Sequence, residues 1–523
     1  MLKIVRSFTV LILTLTVVTA LCASAADVYV TQNTSGGDTG ADCANAHSSS
    51  WFSSNQAAGN TYHLCGTFTG AAGATILNVS AGSAGNLKTI LFESGAGMTA
   101  PVWGPGTGAY PSAGAINVSG SYVTIDGGTN GYINATQSGA SGTTCPGGTC
   151  AYDRTTAGIV VASGLTNVEI RNVTMQNIYL CNNASACNTS WYTANIFIGP
   201  SASATNLSIH DNNLSGAGTQ IMLEYSGRAL SNVNIYNNTL AGGYWGVAIG
   251  SGSSGNTTSN VNIYGNTISG CTDWNKQYNN GGATNGYHCD GVIVYSNASA
   301  QLFNIYNNDI SESGAVTADV FCTYGASSPG ATCNIFNNVL YINNPTCAGV
   351  GGGRAIWSHG GSGPHVIVNN TLVGVSSSCY LIELESPTSL SRLQNNIFAS
   401  ENMGVEDGQT GNLSNVDYNL YNTPNAVWNY SGYKSFPQWQ SLGFDANGIS
   451  GNPNLDGNYK LQKGSPAIGS GTNLSSLCTG NLTALCADKA GVPRPASGAW
   501  DAGAYQYSTA SVAAPTGLKA VAR

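Results

Sequence analysis

A short phrase recurs down the middle of this chain and limits what it can fold into. It reads NLSIHDNNL at 206–214, NVNIYNNTL at 232–240, NVNIYGNTI at 260–268 and LFNIYNNDI at 302–310. It returns as CNIFNNVL at 333–340, HVIVNNTL at 365–372 and RLQNNI at 392–397. Aligning the last Asn gives Asn212, Asn238, Asn266, Asn308, Asn338, Asn370 and Asn396, at spacings of 26, 28, 42, 30, 32 and 26 residues. A drifting period of this size marks a repeat architecture.

Each copy alternates apolar and polar residues, the signature of a strand. It then ends on Asn, which tolerates left-handed backbone and bonds its own main chain, so a turn follows. One Asn per repeat at a fixed place can stack as a ladder, each amide bonding the next coil. Coils of this kind pair parallel strands and rise about 4.8 Å each. Ile209, Ile235, Ile263, Ile305 and Ile335 then form one buried column, and stacking buries a continuous core that no single repeat could. A β-sandwich of short strands is the rival, but it does not explain a repeated Asn. Composition agrees. With 68 Gly and only 8% charged residues the chain lacks the material for long, charged-faced helices, and its Asn, Ser, Thr and Gly are the vocabulary of turns. The expected fold is all-β: a right-handed parallel β-helix with an Asn ladder and a C-terminal cap.

Residues 1–25 read as an export signal, with Lys3 and Arg6 before the apolar run Val10 to Leu21 and Ala23-Ser24-Ala25 as the cleavage site. No other apolar segment is long enough to span a membrane, so the expected product is secreted or cell-surface, without a membrane partner. The expected divisions are a solenoid over 26–435, its cap over 436–507 and a tail over 508–523. Removing Lys3 and Arg6 from 16 basic residues leaves 14 against 24 acidic ones, a net charge near −10. That excludes a surface built to grip nucleic acid. Of 15 cysteines one falls in the signal. The rest lie in near neighbours: Cys43/Cys65, Cys145/Cys150, Cys181/Cys187, Cys271/Cys289, Cys322/Cys333, Cys347/Cys379 and Cys478/Cys486. Disulfides pinning loops to the solenoid are the expectation for an exported chain, and the spacings fit no zinc module.

Function is to be sought where the repeat is interrupted, since extra residues in a solenoid go into loops on one side. One interruption carries Cys181 to Tyr192. The other, Cys271 to Cys289, holds Trp274, Lys276, Tyr278, Tyr287 and His288 just before Asp290. Rings beside polar groups suit a sugar-binding cleft. The strand after each phrase can also be aligned, on Gln220, Trp245, Asp290, Asp319, Arg354 and Tyr380. That register puts Asp290 and Asp319 one coil apart, about 5 Å. Carboxylates that close push their pKa values apart, leaving one protonated to donate and one ionised, as glycosidic cleavage requires. Arg354 is placed to neutralise or position them, and Glu224 to line the same groove.

The chain resembles secreted bacterial right-handed parallel β-helix proteins of the pectate lyase and polygalacturonase superfamily, over roughly residues 26–507. The likeness rests on Asp27-Val-Tyr-Val-Thr, Tyr62-His-Leu-Cys-Gly-Thr-Phe, Asn452-Pro-Asn-Leu, Tyr459-Lys-Leu-Gln-Lys-Gly-Ser-Pro-Ala-Ile, Gly491-Val-Pro-Arg-Pro and Asp501-Ala-Gly-Ala-Tyr-Gln. It specifies the fold rather than the chemistry. The last stretch, Ala514-Pro-Thr-Gly-Leu-Lys-Ala-Val, resembles the first strand of a fibronectin-type module. Likeness to polygalacturonases implies Asp290 and Asp319 as the carboxylates and His359, in Ser358-His-Gly-Gly-Ser-Gly, as an orienting group; the Asp pair and the Arg-Ile-Lys of that family are incomplete here.

The expected activity is therefore a monomeric polysaccharide-degrading glycoside hydrolase without a cofactor. Asp290, Asp319, His288, Arg354 and Lys276 would be catalytic, with Trp245, Trp274, Tyr278, Tyr287, Glu224 and His359 binding substrate. On this reading Asp290→Asn abolishes turnover. Likeness to the lyases implies instead Ca²⁺ on Asp290 and Asp319, with Arg354 or Lys276 removing a proton from a uronate. A non-catalytic carbohydrate-binding adhesin is the third class.

Overall fold

The computed structural model describes residues 25–106, 108–138, 155–178, 192–199, 203–224, 229–251, 257–270, 289–296, 301–312, 316–324, 331–342, 353–358, 363–375, 380–385, 389–407, 413–429 and 432–508. Its strands fall into three sheets of 14, 13 and 13, each built from every third strand in sequence. One coil visits the first, second and third sheet in turn. Ala204–His210, Asn213–Ser215 and Thr219–Leu223 form such a coil, and Ala229–Tyr236 then pairs with the strand where it began. The pairs that build the coils are parallel and right-handed, as crossovers of this kind are. The chain is a right-handed parallel β-helix. The sandwich is excluded, because its strands would run antiparallel.

The aliphatic column stands as the repeat requires. Ile209, Ile235, Ile263, Ile305 and Ile335 are ladder partners in succession, and none is more than 1% exposed. The Asn ladder is present too. Asn238 Oδ1 accepts from both the backbone N–H (3.1 Å) and Nδ2 (2.9 Å) of Asn212, while Asn212 Nδ2 also donates back to the Ile170 carbonyl at 3.0 Å. The pattern repeats through Asn266, Asn308, Asn338, Asn370 and Asn396 to Asn419. Asp445 ends the run, accepting from Asn419, Tyr421 and Trp439. Burial pushes the Asp445 carboxyl up to about 6.

The turn differs from expectation in one respect. The left-handed residue is not the ladder Asn but the one before it: Asp211, Asn237, Gly265, Asn307, Asn337, Asn369 and Asn395, with φ between 53° and 65°. The doubled Asn thus divides two tasks, the first making the corner and the second filling the interior. Outside the first sheet, rings of successive coils stack. His210, Tyr236, Tyr264, Tyr306 and Phe336 lie 4.5, 4.9, 4.9 and 4.8 Å apart.

At the N-terminal end Phe52, in the short helix Ser49–Ser54, packs edge-on against Tyr62 at 4.9 Å. At the other end Trp439, in Phe436–Ser441, joins the main core. Beyond it the chain folds back along the outside. Asn337, Asn369 and Asn395 donate to the carbonyls of Ala487, Asp501 and Thr472, and Trp500, Leu474 and Leu485 cover Phe336 and Val368.

Three of the anticipated disulfides are formed: Cys43–Cys65, Cys322–Cys333 and Cys478–Cys486. Cys322–Cys333 pins no loop; it joins a third-sheet strand to a first-sheet strand within the solenoid core. Cys289 is also disulfide-bonded. Cys145, Cys150, Cys181, Cys187, Cys271, Cys347 and Cys379 lie outside the described residues, as do residues 1–24, which hold nearly all of the expected export signal, and 509–523 of the expected tail. Among the described residues no helix is long and apolar enough to cross a membrane.

If the buried ladder holds the coils in register, Asn308→Ala, which strands both Asn266 donors and removes the donor to Ile263 and Asn338, should lower unfolding free energy by about 2–4 kcal/mol. Asn260→Gly, which keeps the left-handed backbone of that residue (φ 56°) but removes its exposed bond to Asn232 at 2.9 Å, should cost under about 0.5 kcal/mol. Equal losses in denaturant melts would show that the ladder is ornamental.

Candidate active site

The third sheet carries the features that bear on function. The two interruptions read from the sequence, Cys181 to Tyr192 and Cys271 to Cys289, each fall between a second-sheet strand and the start of a third-sheet strand, as does the longer connection at 136–156. They therefore enter at one edge of this sheet, as extra residues in a solenoid should. Trp274, Lys276, Tyr278, Tyr287 and His288 fall within 271–288 and His359 within 359–362, all outside the described residues.

Strand register corrects the aligned column. Trp245 pairs with Asp290, Asp290 with Ala318, Ala318 with Arg354, and Arg354 with Tyr380. Gln220 and Asp319 are each one residue out, because Thr219 is the partner of Trp245 and a bulge between Cys289 and Asp290 shifts the next strand. Asp319 falls level with Ala355 and Leu381, both residues of the interior core, and is fully buried. It belongs to the wall and not to the outer surface. Asp290 is on the outward column but only 1% exposed, and its Oδ1 accepts the Ala318 N–H at 3.1 Å. Trp245 is 3% exposed and packs in a second apolar cluster with Phe197, Met222, Ile293 and Phe321. It is a packing residue there and not an open platform for a sugar.

Glu224 lies at the end of an outward strand beside the rings of that cluster. Tyr110 donates to it, and Tyr110 stacks on Tyr192 at 5.0 Å. Burial, only partly offset by that hydrogen bond, pushes the Glu224 carboxyl up to about 8.

The part of this face with polar chemistry and some exposure is further along, around Arg354. Its guanidinium ion-pairs with Glu383 on the next coil and lies 4.3 Å from the centre of the Trp357 ring. Trp357 in turn stacks on Phe321 at 4.4 Å. Tyr380 flanks the arginine from the other side, 5.8 Å away. Glu383 pairs in register with Glu406, so the two carboxylates project from strands one step apart, about 4.8 Å. Burial, and then the charge of Glu383, push the Glu406 carboxyl up to about 7, while Arg354 draws it down. Glu406 Oε2 is enclosed and has no hydrogen-bond partner among the described residues. The cluster thus pairs a carboxylate held by arginine with a carboxyl that keeps its proton near neutrality, between aromatic rings.

The sequence reading named Asp290 and Asp319 as carboxylates on adjacent coils; in the structure the carboxylates on adjacent coils beside Arg354 are Glu383 and Glu406. They were legible in principle. Trp357, Glu383 and Glu406 each lie three residues past the column, in Arg354-Ala-Ile-Trp, Tyr380-Leu-Ile-Glu and Met403-Gly-Val-Glu.

The donors for a Ca²⁺ ion fit poorly among the described residues. Asp290 and Asp319 are buried and differ in facing, and the one group of three potential ligands within reach of an ion is Cys322, Cys333 and His365. Sulfur and nitrogen do not suit a hard cation, and the two cysteines are bonded to each other. His365 instead accepts the Cys333 N–H at 3.0 Å and meets Ser358 Oγ at 2.8 Å.

No protein-family model matches the chain, and no curated protein matches its sequence. Solved structures similar to it include pectate lyase Pel9A, at 14% identity and a TM-score of 0.43 over 93% of this chain and 97% of that one. XylC in complex with xylose matches at 10% identity and a TM-score of 0.46, covering 91% and 98%. The A-module of the mannuronan C-5 epimerase AlgE6 of Azotobacter vinelandii matches at 12% and 0.38, covering 76% and 91%.

The Glu406 environment predicts a pH-dependent penalty. Its carboxyl is raised from 4.5 to about 7, so it favours the folded state's proton: stability is fully present below the lower value and is lost as pH rises through the upper one. Glu406→Gln removes that loss. Its melting temperature should equal the wild type's near pH 4 and exceed it by about 2 °C or more at pH 8. A constant offset at both pH values would refute the raised carboxyl.

Proposed function

We propose that this chain is a polysaccharide-cleaving enzyme whose chemistry takes place at Arg354, Glu383 and Glu406 on the outer face of the third sheet. The observation that carries the reading is the carboxyl pair with separated protonation, Glu406 pushed up to about 7 beside the Arg354–Glu383 ion pair. Such a split is how one site holds an acid and a base at the same pH. Trp357, stacked on Phe321 and covered by the Arg354 guanidinium, holds the arginine in place, and Tyr380 supplies a ring against which the apolar face of a sugar can lie.

Hydrolysis is the reading that these groups favour. Glu406 gives its proton to the glycosidic oxygen as the bond from that oxygen to the anomeric carbon breaks. Glu383, held as a carboxylate by Arg354, attacks that carbon. Water then displaces Glu383 and returns a proton to Glu406, leaving one new reducing end. A separation near one strand spacing, about 5 Å, matches carboxyl pairs that retain anomeric configuration, whereas pairs with a water between them stand about 6.5–9.5 Å apart. Elimination from a uronate is the second reading, and Arg354 favours it, since a guanidinium beside a protonated Glu406 could neutralise the sugar's carboxylate. The catalytic carboxylates move here from Asp290 and Asp319, 1% and 0% exposed, to a pair of which Glu406 is partly exposed.

A panel of neutral and uronate-containing polysaccharides, with and without EDTA, tests the reading. New reducing ends without unsaturated-uronate absorbance, and with retained configuration by NMR, are expected. Absorbance would assign elimination to the same site, and its loss with EDTA would restore a Ca²⁺ mechanism. Glu406→Gln and Glu383→Gln should each lower kcat by about 10²–10⁴, and wild-type activity should fall as pH rises through about 7. Full activity in both, or abolition by Asp290→Asn alone, would return the site to Asp290.

A further inference from the structure

A second cleft lies on a different wall of the solenoid, where the folded-back C-terminal segment meets the second sheet. Its floor is two second-sheet strands, Asp309–Glu312 and Val339–Ile342, and its rim is the turn at 456–460 with Tyr505. The space is about 500 Å³, within the range of about 300–1,000 Å³ usual for small-ligand sites and roomy enough for a sugar ring. Three tyrosines line it. Tyr459 hydrogen-bonds with Tyr341 and lies 5.4 Å from it, ring to ring, and Lys460 reaches over the Tyr505 ring at 5.4 Å. Asp309 is anchored by Lys489 at 2.7 Å.

The turn that presents Tyr459 and Lys460 is stiffly built. Asp456 Oδ1 accepts the N–H groups of Asn458 at 2.8 Å and Lys460 at 2.9 Å, and Leu455 and Leu461 bridge its base. Tyr459 itself takes left-handed backbone, φ 60°, which is uncommon for a bulky side chain. Such a cost at a surface residue calls for a use, and what it achieves here is to turn the ring toward Tyr341 across the cleft. Half-buried tyrosines offer an apolar face to sugar C–H groups and a hydroxyl to their oxygens.

We propose that this cleft is a non-catalytic binding subsite for a pyranose ring of a polysaccharide, holding the polymer to a wall remote from the Glu406 cluster. Tyr341, Tyr459 and Tyr505 flank the ring, and Lys460 and Ser311 address its oxygens. The inference rests on the reading of the chain as a polysaccharide enzyme, and its test separates the two.

Full-length wild type, Tyr459→Asn and Tyr341→Leu are run through native gels containing xylan or polygalacturonate, a neutral and an acidic pyranose polymer. Asn is chosen because it tolerates the left-handed turn that Ala would strain. Retardation of the wild type in at least one gel is expected, weakened tenfold or more in both variants, while their cleavage of short soluble oligosaccharides stays within twofold. The polymer that retards the chain tells which sugar the subsite takes. Wild-type mobility in both variants, or no retardation of the wild type in either gel, overturns the subsite. A chain that binds through Tyr459 yet cleaves nothing keeps this inference and loses the proposed function; one that cleaves but binds equally well without Tyr459 does the reverse.

Discussion

A buried amide with nowhere to send its hydrogen bonds except the next coil is the constraint on which this structure depends. In the interior an unpaired amide group would cost about 1–3 kcal/mol, so each ladder Asn fixes the height and register of its neighbours. Asn238 shows the arrangement: its Oδ1 takes two donors from the coil before, and its Nδ2 bonds both the coil after and the Ile209 carbonyl. Because each coil from Asn212 to Asn419 presents an Asn at the same corner, the first-to-second-sheet turn keeps a constant two residues there, whereas it lengthens in earlier coils such as Asp126 to Tyr132. Variation is displaced to the other corners, and the long interruptions accordingly sit at the entry to the third sheet.

That displacement explains where function can reside. A solenoid wall of identical coils offers no special place, whereas the third sheet has variable edges and an outer face whose character changes along the axis. From Phe197 to Phe321 the face is packed and apolar. From Arg354 to Glu406 it becomes charged, with Arg354 and Glu383 buried and Trp357, Tyr380 and Glu406 partly exposed. The change occurs along columns that run in unbroken register from Ala318 through Arg354 and Tyr380 to Met403, so side-chain identity sets it. Trp357 stands at the boundary, stacked on Phe321 behind and beneath Arg354 ahead.

Much of the fold was legible in the sequence because its period is carried by residues with one available role. The interior Ile column and the ladder from Asn212 to Asn396 occupy the places that the spacing implied. The left-handed corner was placed one residue late, since in Asn-Asn either residue could make the turn. The site was legible in kind but not in position. A column read from strand starts cannot see the bulge before Asp290, and one residue of slip carried Asp319 from the outer surface into the wall. The same column, followed three residues further and one coil later, passes through Glu383 and Glu406. What no pattern announced was burial: Trp245 reads as a sugar platform until its neighbours on adjacent coils are known. Nor could the folded-back segment be read as a flank of the solenoid, because its contacts with Asn337, Asn369 and Asn395 span more than seventy residues of sequence.

The central claim is that the Arg354–Glu383–Glu406 cluster is where a polysaccharide is cut. Its most direct test is a crystal structure of Glu406→Gln soaked with the oligosaccharide that the wild type cleaves fastest. The account predicts a sugar ring lying against Tyr380, with its glycosidic oxygen within hydrogen-bonding reach of residue 406 and its anomeric carbon facing Glu383. An oligosaccharide seated instead at Asp290, with the Glu383 and Arg354 pair untouched, would contradict it.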